Sequence, residues 1–249
     1  MKISGFLLES FQDCEKGLCA VVFTSGCNYS CPSCHSKNIC DSKEFYDSNE
    51  ILKILKRKRN FIPWVCICGG EPTIHPDLIN FIKLLKGYGY KIKLDTNGSN
   101  SVMLEELKEK KLVDYIAMDI KGPPQLYSRL IGKKINLIEN VERGMNIVAS
   151  DNNEYEFRTT IAPLIENEKI RWMTPEEIGE TADFIIRVTG KREHNYYLQP
   201  FIARDQEHMV DKRFSLQELP ENMKKTPENL LDQALNEAKK YIFNVRNRY

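Results

Sequence analysis

The chain has 249 residues, of which 41% are hydrophobic and 29% charged, and its 36 basic residues nearly balance its 35 acidic ones. This composition is typical of a globular protein, because a disordered tail is poorer in apolar residues, a collagen-like chain has a glycine period, and a nucleic-acid-coating protein carries a large basic excess. A chain of this length can bury one large core, so we expect a single domain over residues 1–249.

Six apolar runs with strand character alternate with helical patterns, which is typical of consecutive βα units and a parallel sheet. The clearest helix begins after Thr174, which can form a capping box with Glu177, and a last helix begins near Thr226. The pattern fits an open doubly wound sheet as well as a partly open barrel. The predicted strands are residues 18–24, 64–68, 91–94, 115–120, 154–161 and 195–201.

The N-terminal residues do not have the pattern of a secretory signal, because Glu9 interrupts the apolar stretch before it. The longest apolar runs elsewhere, such as residues 19–23, are far shorter than the roughly 20 residues of a membrane-spanning helix. We therefore expect a cytoplasmic protein without membrane association. Its eight cysteines would then lie in a reducing compartment, where thiols are more often ligands, nucleophiles or core residues than disulfides.

Three of these cysteines lie within one short loop directly after the first predicted strand. Cys27, Cys31 and Cys34 have the spacing C-x3-C-x2-C. Carboxyl ends of parallel strands meet at one edge of the sheet, where α/β folds place their chemistry. Thiolates are typical ligands of zinc and of iron–sulfur clusters. A structural zinc would need a fourth protein ligand, whereas three cysteines on a four-iron cluster leave one iron without a protein ligand. The candidates for a fourth zinc ligand are His35, Cys40, Cys66 and Cys68.

The second predicted strand ends in Gly69-Gly70-Glu71-Pro72. Two glycines let the backbone approach a ligand closely, and Glu71 has a carboxylate suited to an ammonium group. Alone, this sequence is as often a simple strand-end turn.

Together the two motifs resemble the radical S-adenosylmethionine (radical SAM) superfamily over about residues 15–205. The resemblance implies an α/β fold, the partial (β/α)6 barrel of that family, with residues 206–249 as a C-terminal helical extension. It also implies a [4Fe-4S] cluster on Cys27, Cys31 and Cys34, whose free iron is chelated by the amino and carboxylate groups of SAM. The residues Gly69, Gly70 and Glu71 would accept hydrogen bonds from that amino group.

Residues 20–28 resemble the corresponding segment of one subgroup of that superfamily, the glycyl-radical-enzyme activating enzymes. This subgroup includes the activators of pyruvate formate-lyase and of anaerobic ribonucleotide reductase. Two later motifs agree: residues 95–98 follow the third strand and residues 119–121 end the fourth. The resemblance implies that they hold the methionine moiety of SAM. The aspartate carboxylates of the protein would lie opposite the ammonium of SAM, and the lysine would pair with the carboxylate of SAM. The side chains concerned are Asp95, Asn97, Asp119 and Lys121.

The implied activity is that of an oxidoreductase that cleaves SAM reductively to a 5′-deoxyadenosyl radical. The cofactor carries the hard step, while the protein holds SAM in one pose and excludes water, so we assign no catalytic side chain. The expected partners are a glycyl radical enzyme and a low-potential electron donor such as flavodoxin or ferredoxin. Arg158 and Gln199, near the ends of the fifth and sixth strands, are expected at the same mouth.

A nucleic-acid partner is not expected, because the basic run at residues 53–59 is typical of a solvated helix end. Two alternatives stay open. One is a radical SAM enzyme that modifies RNA, a peptide or a small molecule, and the other is a zinc-stabilised interaction module.

Overall fold

The computed structural model describes residues 1–133, 138–150 and 154–248. The strands are β1 (Ile3–Ser10), β2 (Cys19–Thr24), β3 (Trp64–Gly69), β4 (Lys91–Thr96), β5 (Tyr115–Asp119), β6 (Glu154–Ile161), β7 (Pro163–Glu166), β8 (Lys169–Trp172), β9 (Asn195–Pro200) and β10 (Asn244–Asn247). The helices are α1 (Lys37–Cys40), α2 (Ser48–Lys58), α3 (Leu78–Gly87), α4 (Ser101–Glu109), α5 (Pro124–Leu130), α6 (Ile138–Ala149), α7 (Pro175–Thr189) and α8 (Glu228–Lys239).

One sheet organises the fold, with the strand order β1-β2-β3-β4-β5-β6-β9-β10. From β2 to β10 all neighbours are parallel, whereas β1 is antiparallel to β2. A doubly wound sheet reverses its order at a switch point, and this order follows the chain without reversal. The sheet is therefore wound in one direction, as in a barrel, and β1 and β10 are its two end strands. This is the expected α/β fold of a partial barrel.

All six predicted strands are present, and the predicted capping box is confirmed at the start of α7. The Thr174 hydroxyl accepts a hydrogen bond from the Glu177 N–H (3.2 Å), and the Glu177 carboxylate accepts one from the Thr174 N–H (2.8 Å). The expectation of a helical extension over residues 206–249 is only partly correct. That segment contains α8 but ends in β10, a short polar strand that pairs with β9.

The two faces of the sheet differ because side chains alternate along each strand. The outer face is apolar and packs against the helices through residues such as Val22, Ile67 and Met118. The inner face carries cysteines and charged groups instead, among them Cys66, Lys93, Asp95, Glu156 and Arg158.

The segment between β1 and β2 is tied to the far side of the sheet at its amino edge. Lys16 forms an ion pair with Glu154 (2.7 Å), and Glu15 pairs with Arg248, which follows β10. Both terminal guanidinium nitrogens of Arg248 also donate to the buried Glu156 carboxylate at 2.7 Å. Within the described part of the chain, no helix combines the length and apolarity needed to cross a membrane.

Candidate active site

A cavity of about 720 Å³ opens at the carboxyl edge of the parallel strands. A larger one, of about 1010 Å³, lies near the amino ends of β3 and β4 and is lined by Trp64 and Lys91 but by none of the residues predicted to bind a cofactor. The chemistry therefore belongs to the smaller cavity, whose wall contains every predicted site residue. These are Cys27, Cys31, Cys34, Gly69, Gly70, Glu71, Asp95, Asn97, Asp119 and Lys121.

The cysteine loop and the Gly-Gly-Glu turn are joined through their backbones. The Gly26 carbonyl accepts a hydrogen bond from the Glu71 N–H (2.8 Å), and the Gly26 N–H donates to the Cys40 carbonyl (3.0 Å). A Cβ at Gly70 would lie 1.8 Å from the Gly26 oxygen, and one at Gly69, where φ is 112°, would lie 2.4 Å from the Thr24 nitrogen. Gly70 is thus required for contact with the start of the cysteine loop and Gly69 for contact with the end of β2, and not only for approach of a ligand.

The Glu71 carboxylate differs from the expectation that it faces an ammonium group. It is buried and accepts four hydrogen bonds within the protein: from Thr73 N–H (3.1 Å) and hydroxyl (2.5 Å), from the Thr96 hydroxyl (2.7 Å) and from the Asn97 N–H (2.7 Å). Burial raises the pKa of Glu71, and these hydrogen bonds oppose the rise. The carboxylate therefore links the turn after β3 to the end of β4.

The two aspartates also differ from the expectation, because protein cations already pair with both. Arg158 donates to Asp95 (2.8 Å) and to Asp119 (2.9 Å) with two different nitrogens. Lys93 pairs with the other oxygen of Asp95, and Lys121 pairs with the other oxygen of Asp119 at 3.1 Å. The result is an alternating row, Lys93–Asp95–Arg158–Asp119–Lys121, which we call the charge row. A third carboxylate, the buried Glu156, lies 4.0 Å from Arg158, so the charges around the row nearly balance.

The charge row is ionised at neutral pH. Burial raises the pKa of Asp95 and of Asp119, but Arg158 together with Lys93 at Asp95 and Lys121 at Asp119 more than offsets this, so both pKa values are lowered. Burial disfavours the charged ammonium of Lys121, but its attraction to Asp119 raises the pKa of that lysine above its ordinary value.

The three loop cysteines are half-buried, and Lys121 lies at the end of the charge row nearest to them. Burial raises the pKa of Cys27 and that of Cys31, the latter to about 12, and the ammonium of Lys121 opposes both rises. A hydrogen bond with the Cys40 thiol lowers the pKa of Cys34 to about 6, and Lys121 acts in the same direction. The lysine thus favours negative charge on all three sulfur atoms.

Asn97 braces the cysteine loop. Its side-chain N–H donates to the Asn28 oxygen (2.9 Å), and the Asn28 amide in turn donates to the Ser99 hydroxyl (2.7 Å). The Asn97 oxygen accepts from both the N–H and the hydroxyl of Ser99. Since Asn28 follows Cys27 directly, this network sets the start of the loop.

This donor set fits an iron–sulfur cluster with one open iron. Three half-buried thiols line one cavity beside a lysine, and a four-iron cluster takes its thiolates from separated positions around its core. Across residues 1–133, 138–150 and 154–248, no three His, Cys, Asp or Glu side chains are grouped so that they could hold a single metal ion.

Of the remaining cysteines near the cavity, Cys66 is buried as expected of a core thiol, with its sulfur 3.8 Å from the Lys93 ammonium. Cys68 is half-buried and lines the cavity. Gln199 also lines it, as expected of the sixth strand.

Two residues of the charge row were missed or left without a role in the sequence analysis. Lys93 lies in a polar strand segment where a lysine is usually solvent-exposed, yet it shares the inner face with Asp95. Their spacing of two residues on a strand could have predicted that the two opposite charges share a face and pair. Arg158 was expected at the mouth, but its bridging of two aspartates depends on the sheet register, in which Asp119 is paired with Arg158.

Comparison with known proteins identifies the superfamily of this chain. A sequence profile of the radical SAM superfamily matches residues 21–184. A Methanocaldococcus jannaschii protein named "Putative glycyl-radical enzyme activating enzyme" is 31% identical over 250 residues, which span 98% of this chain and 94% of that protein. A Pyrococcus horikoshii protein named "Probable GTP 3',8-cyclase" is 38% identical over 94 residues, 37% of this chain and 30% of that protein.

A solved structure shows the same fold. Streptococcus suis SuiB superimposes with a TM-score of 0.62 at 17% sequence identity, over 92% of this chain and 49% of SuiB, so this chain spans about half of that protein. The chain therefore belongs to the radical SAM superfamily, and its cofactors are a [4Fe-4S] cluster and S-adenosylmethionine.

Proposed function

We propose that this protein is a cytoplasmic radical SAM activating enzyme that generates a glycyl radical on a partner enzyme. The observation that carries the proposal is the cysteine loop: three half-buried thiols line one cavity and are held by backbone hydrogen bonds to the Gly-Gly-Glu turn. The M. jannaschii relative supports the activating role, because the alignment spans almost the whole of both chains.

Each predicted residue has a defined task in this proposal. Cys27, Cys31 and Cys34 hold the cluster, and Lys121 stabilises the negative charge of their sulfur atoms. The ammonium of Lys121, in the cavity wall, pairs with the carboxylate of SAM, while the backbone carbonyls from Gly69 to Glu71 accept from its ammonium. Bound together, the two cofactors supply a carbon radical that can take a hydrogen atom from a glycine Cα.

The aspartates act indirectly. Asp95 and Asp119 each accept a hydrogen bond from Arg158 and so fix its guanidinium. Asp119 also pairs with Lys121 and holds that ammonium in the cavity wall. Charges inside a site that excludes water act more strongly than in bulk solvent, so a fixed row can hold the cofactor in one pose. An electron donor such as flavodoxin or ferredoxin is required for the reduction.

A second candidate is a radical SAM enzyme that acts on an anionic small molecule. The cations in the cavity wall, Lys121 and Arg204, favour it, because they can pair with a substrate anion as well as with SAM. The partial similarity to a protein named as a GTP cyclase points in the same direction.

One experiment tests the cluster assignment. The protein is reconstituted anaerobically with iron and sulfide, reduced, and supplied with SAM, and 5′-deoxyadenosine is quantified. Cys31→Ala is expected to abolish the cleavage, whereas Cys68→Ala, which removes a thiol of the same cavity outside the loop, retains it. Cleavage by Cys31→Ala at the rate of the unmodified protein, or stoichiometric zinc with little iron, contradicts the assignment.

The activating role is tested with each glycyl radical enzyme encoded in the same genome. The reduced protein with SAM is incubated with each candidate, and the expected result is a glycyl doublet in the electron paramagnetic resonance spectrum of one of them. If 5′-deoxyadenosine forms only when a small anionic substrate is added and no candidate gains the doublet, the second function replaces the first.

A further inference from the structure

The carboxylates of the cavity wall are all paired within the described residues. Asp13 accepts a hydrogen bond from the Ser10 hydroxyl (2.6 Å), and Asp41 pairs with Lys37. Glu71 accepts hydrogen bonds from its own turn and from β4, and the two aspartates of the charge row pair with its cations. These carboxylates are therefore balanced by the protein itself.

Arg204 differs from the other lysines and arginines of this wall. Lys37, Lys121 and Arg158 each pair with a carboxylate. In the part of the chain that the structure describes, the Arg204 guanidinium has neither an ion pair nor a hydrogen bond, although it lines the same cavity. Arg204 is therefore available to an anion from outside the protein.

The segment after β9 holds Arg204 beside the cysteine loop. The Arg204 carbonyl accepts a hydrogen bond from the Leu216 N–H (2.9 Å), and farther along the segment the Val210 N–H donates to the Cys34 carbonyl (2.9 Å). Burial lowers the pKa of His35, and repulsion by the positive charge of Arg204 lowers it further. The backbone of this residue is thus fixed while its side chain stays unpaired.

Two neighbouring polar side chains of the wall also lack a partner among the described residues. Thr160 on β6 is paired with Gln199 on β9 in the parallel register, and both line the cavity. The residues before them, Thr159 and Leu198, are buried on the opposite face. A hydroxyl and an amide offer donors and acceptors side by side, which are the groups that a polypeptide backbone requires.

We infer that Thr160, Gln199 and Arg204 form a subsite for the glycine-bearing segment of the partner enzyme, in which Arg204 pairs with an acidic side chain of that segment. The inference rests on the proposed function, since it names what that partner presents to the cavity. The carboxylate of SAM pairs with Lys121 in the proposed function, and the adenosyl group of SAM carries no negative charge. The anion for Arg204 therefore comes from the substrate, while Thr160 and Gln199 bind its backbone.

The test compares variants of the subsite with variants of the partner. Arg204→Met removes the charge, Arg204→Lys retains it, and Gln199→Leu removes the amide. Arg57→Met changes an exposed arginine of α2 outside the cavity and is the control. The cluster-loaded protein is assayed for SAM affinity, and for binding of and radical formation on every glycyl radical enzyme encoded in the same genome. Each candidate is also made in a neutralised form, with amides in place of the acidic residues that flank its glycine.

We expect Arg204→Met to raise the KM and the Kd for the partner by about tenfold or more, the effect of one contact residue of an interface, with little change in kcat or in SAM affinity. Arg204→Lys retains most of the affinity for the partner, and the Arg57→Met control retains all of it. With the neutralised partner the KM of the unmodified protein is already raised, and Arg204→Met adds nothing, because both changes remove the same ion pair. Gln199→Leu raises the KM for both forms of the partner.

The outcomes separate this inference from the proposed function. A radical that forms with the same KM in Arg204→Met, or a tenfold effect that persists in full with the neutralised partner, overturns the subsite and leaves the function standing. Weaker SAM binding by Gln199→Leu with an unchanged KM for the partner assigns that amide to SAM and also overturns the subsite.

Two further outcomes concern the function. Binding of a candidate that depends on Arg204 and on the flanking acidic residues, without any glycyl radical, supports the subsite and overturns the function. If no candidate binds or gains the radical, both are rejected. Weaker binding of GTP by Arg204→Met then assigns the free cation to an anionic small molecule.

Discussion

Arg158 is the side chain on which both aspartates of the site depend. Its guanidinium donates to Asp95 and to Asp119, and the residue is largely buried between β5 and the inner face of the barrel. A buried carboxylate is tolerated when it is paired, and its burial becomes costly when the partner is removed. Arg158 is therefore the one cation that pairs with both carboxylates of the row.

Arg158→Met tests this dependence. The substitution removes the hydrogen bonds that Arg158 donates to two partly buried carboxylates and leaves them with only the flanking lysines, so we expect the free energy of unfolding of the cluster-free protein to fall by about 1.5–3 kcal/mol. Urea denaturation measures the change. Arg187→Met breaks an exposed ion pair with Asp183 on α7 and is expected to cost at most about 1 kcal/mol, and equal losses in the two variants would contradict a special role for Arg158.

At the scale of elements, the turn after β3 and the loop after β2 form one unit. Parallel register pairs Thr24 with Gly69 at the ends of the two strands, so the turns that follow leave the sheet side by side. Close packing of Gly70 on the Gly26 carbonyl completes the contact. The position of the cysteine loop therefore depends on the conformation of the turn after β3.

Gly70→Ala is expected to damage this unit. Its new methyl group would lie 1.8 Å from a backbone oxygen, which cannot move without shifting the cysteine loop. We expect a loss of about 1–3 kcal/mol or more in the free energy of unfolding, together with reduced iron incorporation. Gly87→Ala, at the end of α3 with open space around it, is the control and keeps full iron content. Full iron content and unchanged stability in Gly70→Ala would show that the loop adapts.

The secondary structure that sequence patterns predict is local in origin. Each of the six predicted strands is a run of apolar or alternating residues bounded by turn residues, and each appears in the sheet. Four strands were missed: β7 and β8, which form a separate two-stranded sheet, and β1 and β10 of the main sheet. β1 lacks a clear alternation, and β10 is four residues long and polar, so its pairing with β9 decides its conformation.

At the scale of the whole molecule, the C-terminal end closes the amino edge of the barrel. Arg248 pairs with Glu156 from β6 and with Glu15 from the segment between β1 and β2, and its guanidinium stacks 4.0 Å from the Tyr197 ring centroid. Glu15, near the start of the chain, and Arg248, near its end, thereby meet at the amino edge of the barrel. The amino edge is held by these pairs while the carboxyl edge stays open for cofactors.

Arg248→Met is expected to destabilise the whole protein, because it removes the two hydrogen bonds that Arg248 donates to the buried Glu156 and leaves only the more distant Arg158, at 4.0 Å, as its cation. The expected loss is about 3–5 kcal/mol in the free energy of unfolding, measured by chemical denaturation. Arg246→Met, two residues earlier on the exposed side of β10, is the matched control and is expected to stay within about 0.5 kcal/mol of the original stability. A similar small change in both variants would show that Tyr115 and Arg158 satisfy Glu156 without Arg248.

By itself, the sequence determined the order of βα units, the cysteine loop and the turn that follows β3, because these depend on short-range periodicity and on the rule that parallel strands end at one edge. The tertiary structure alone decided which groups pair across that edge. Arg158 lies 63 residues from Asp95 along the chain, and Glu71 lies 26 residues from the Asn97 N–H that it accepts from. Such partners follow from strand register and burial, which bring distant side chains together and which no local pattern encodes.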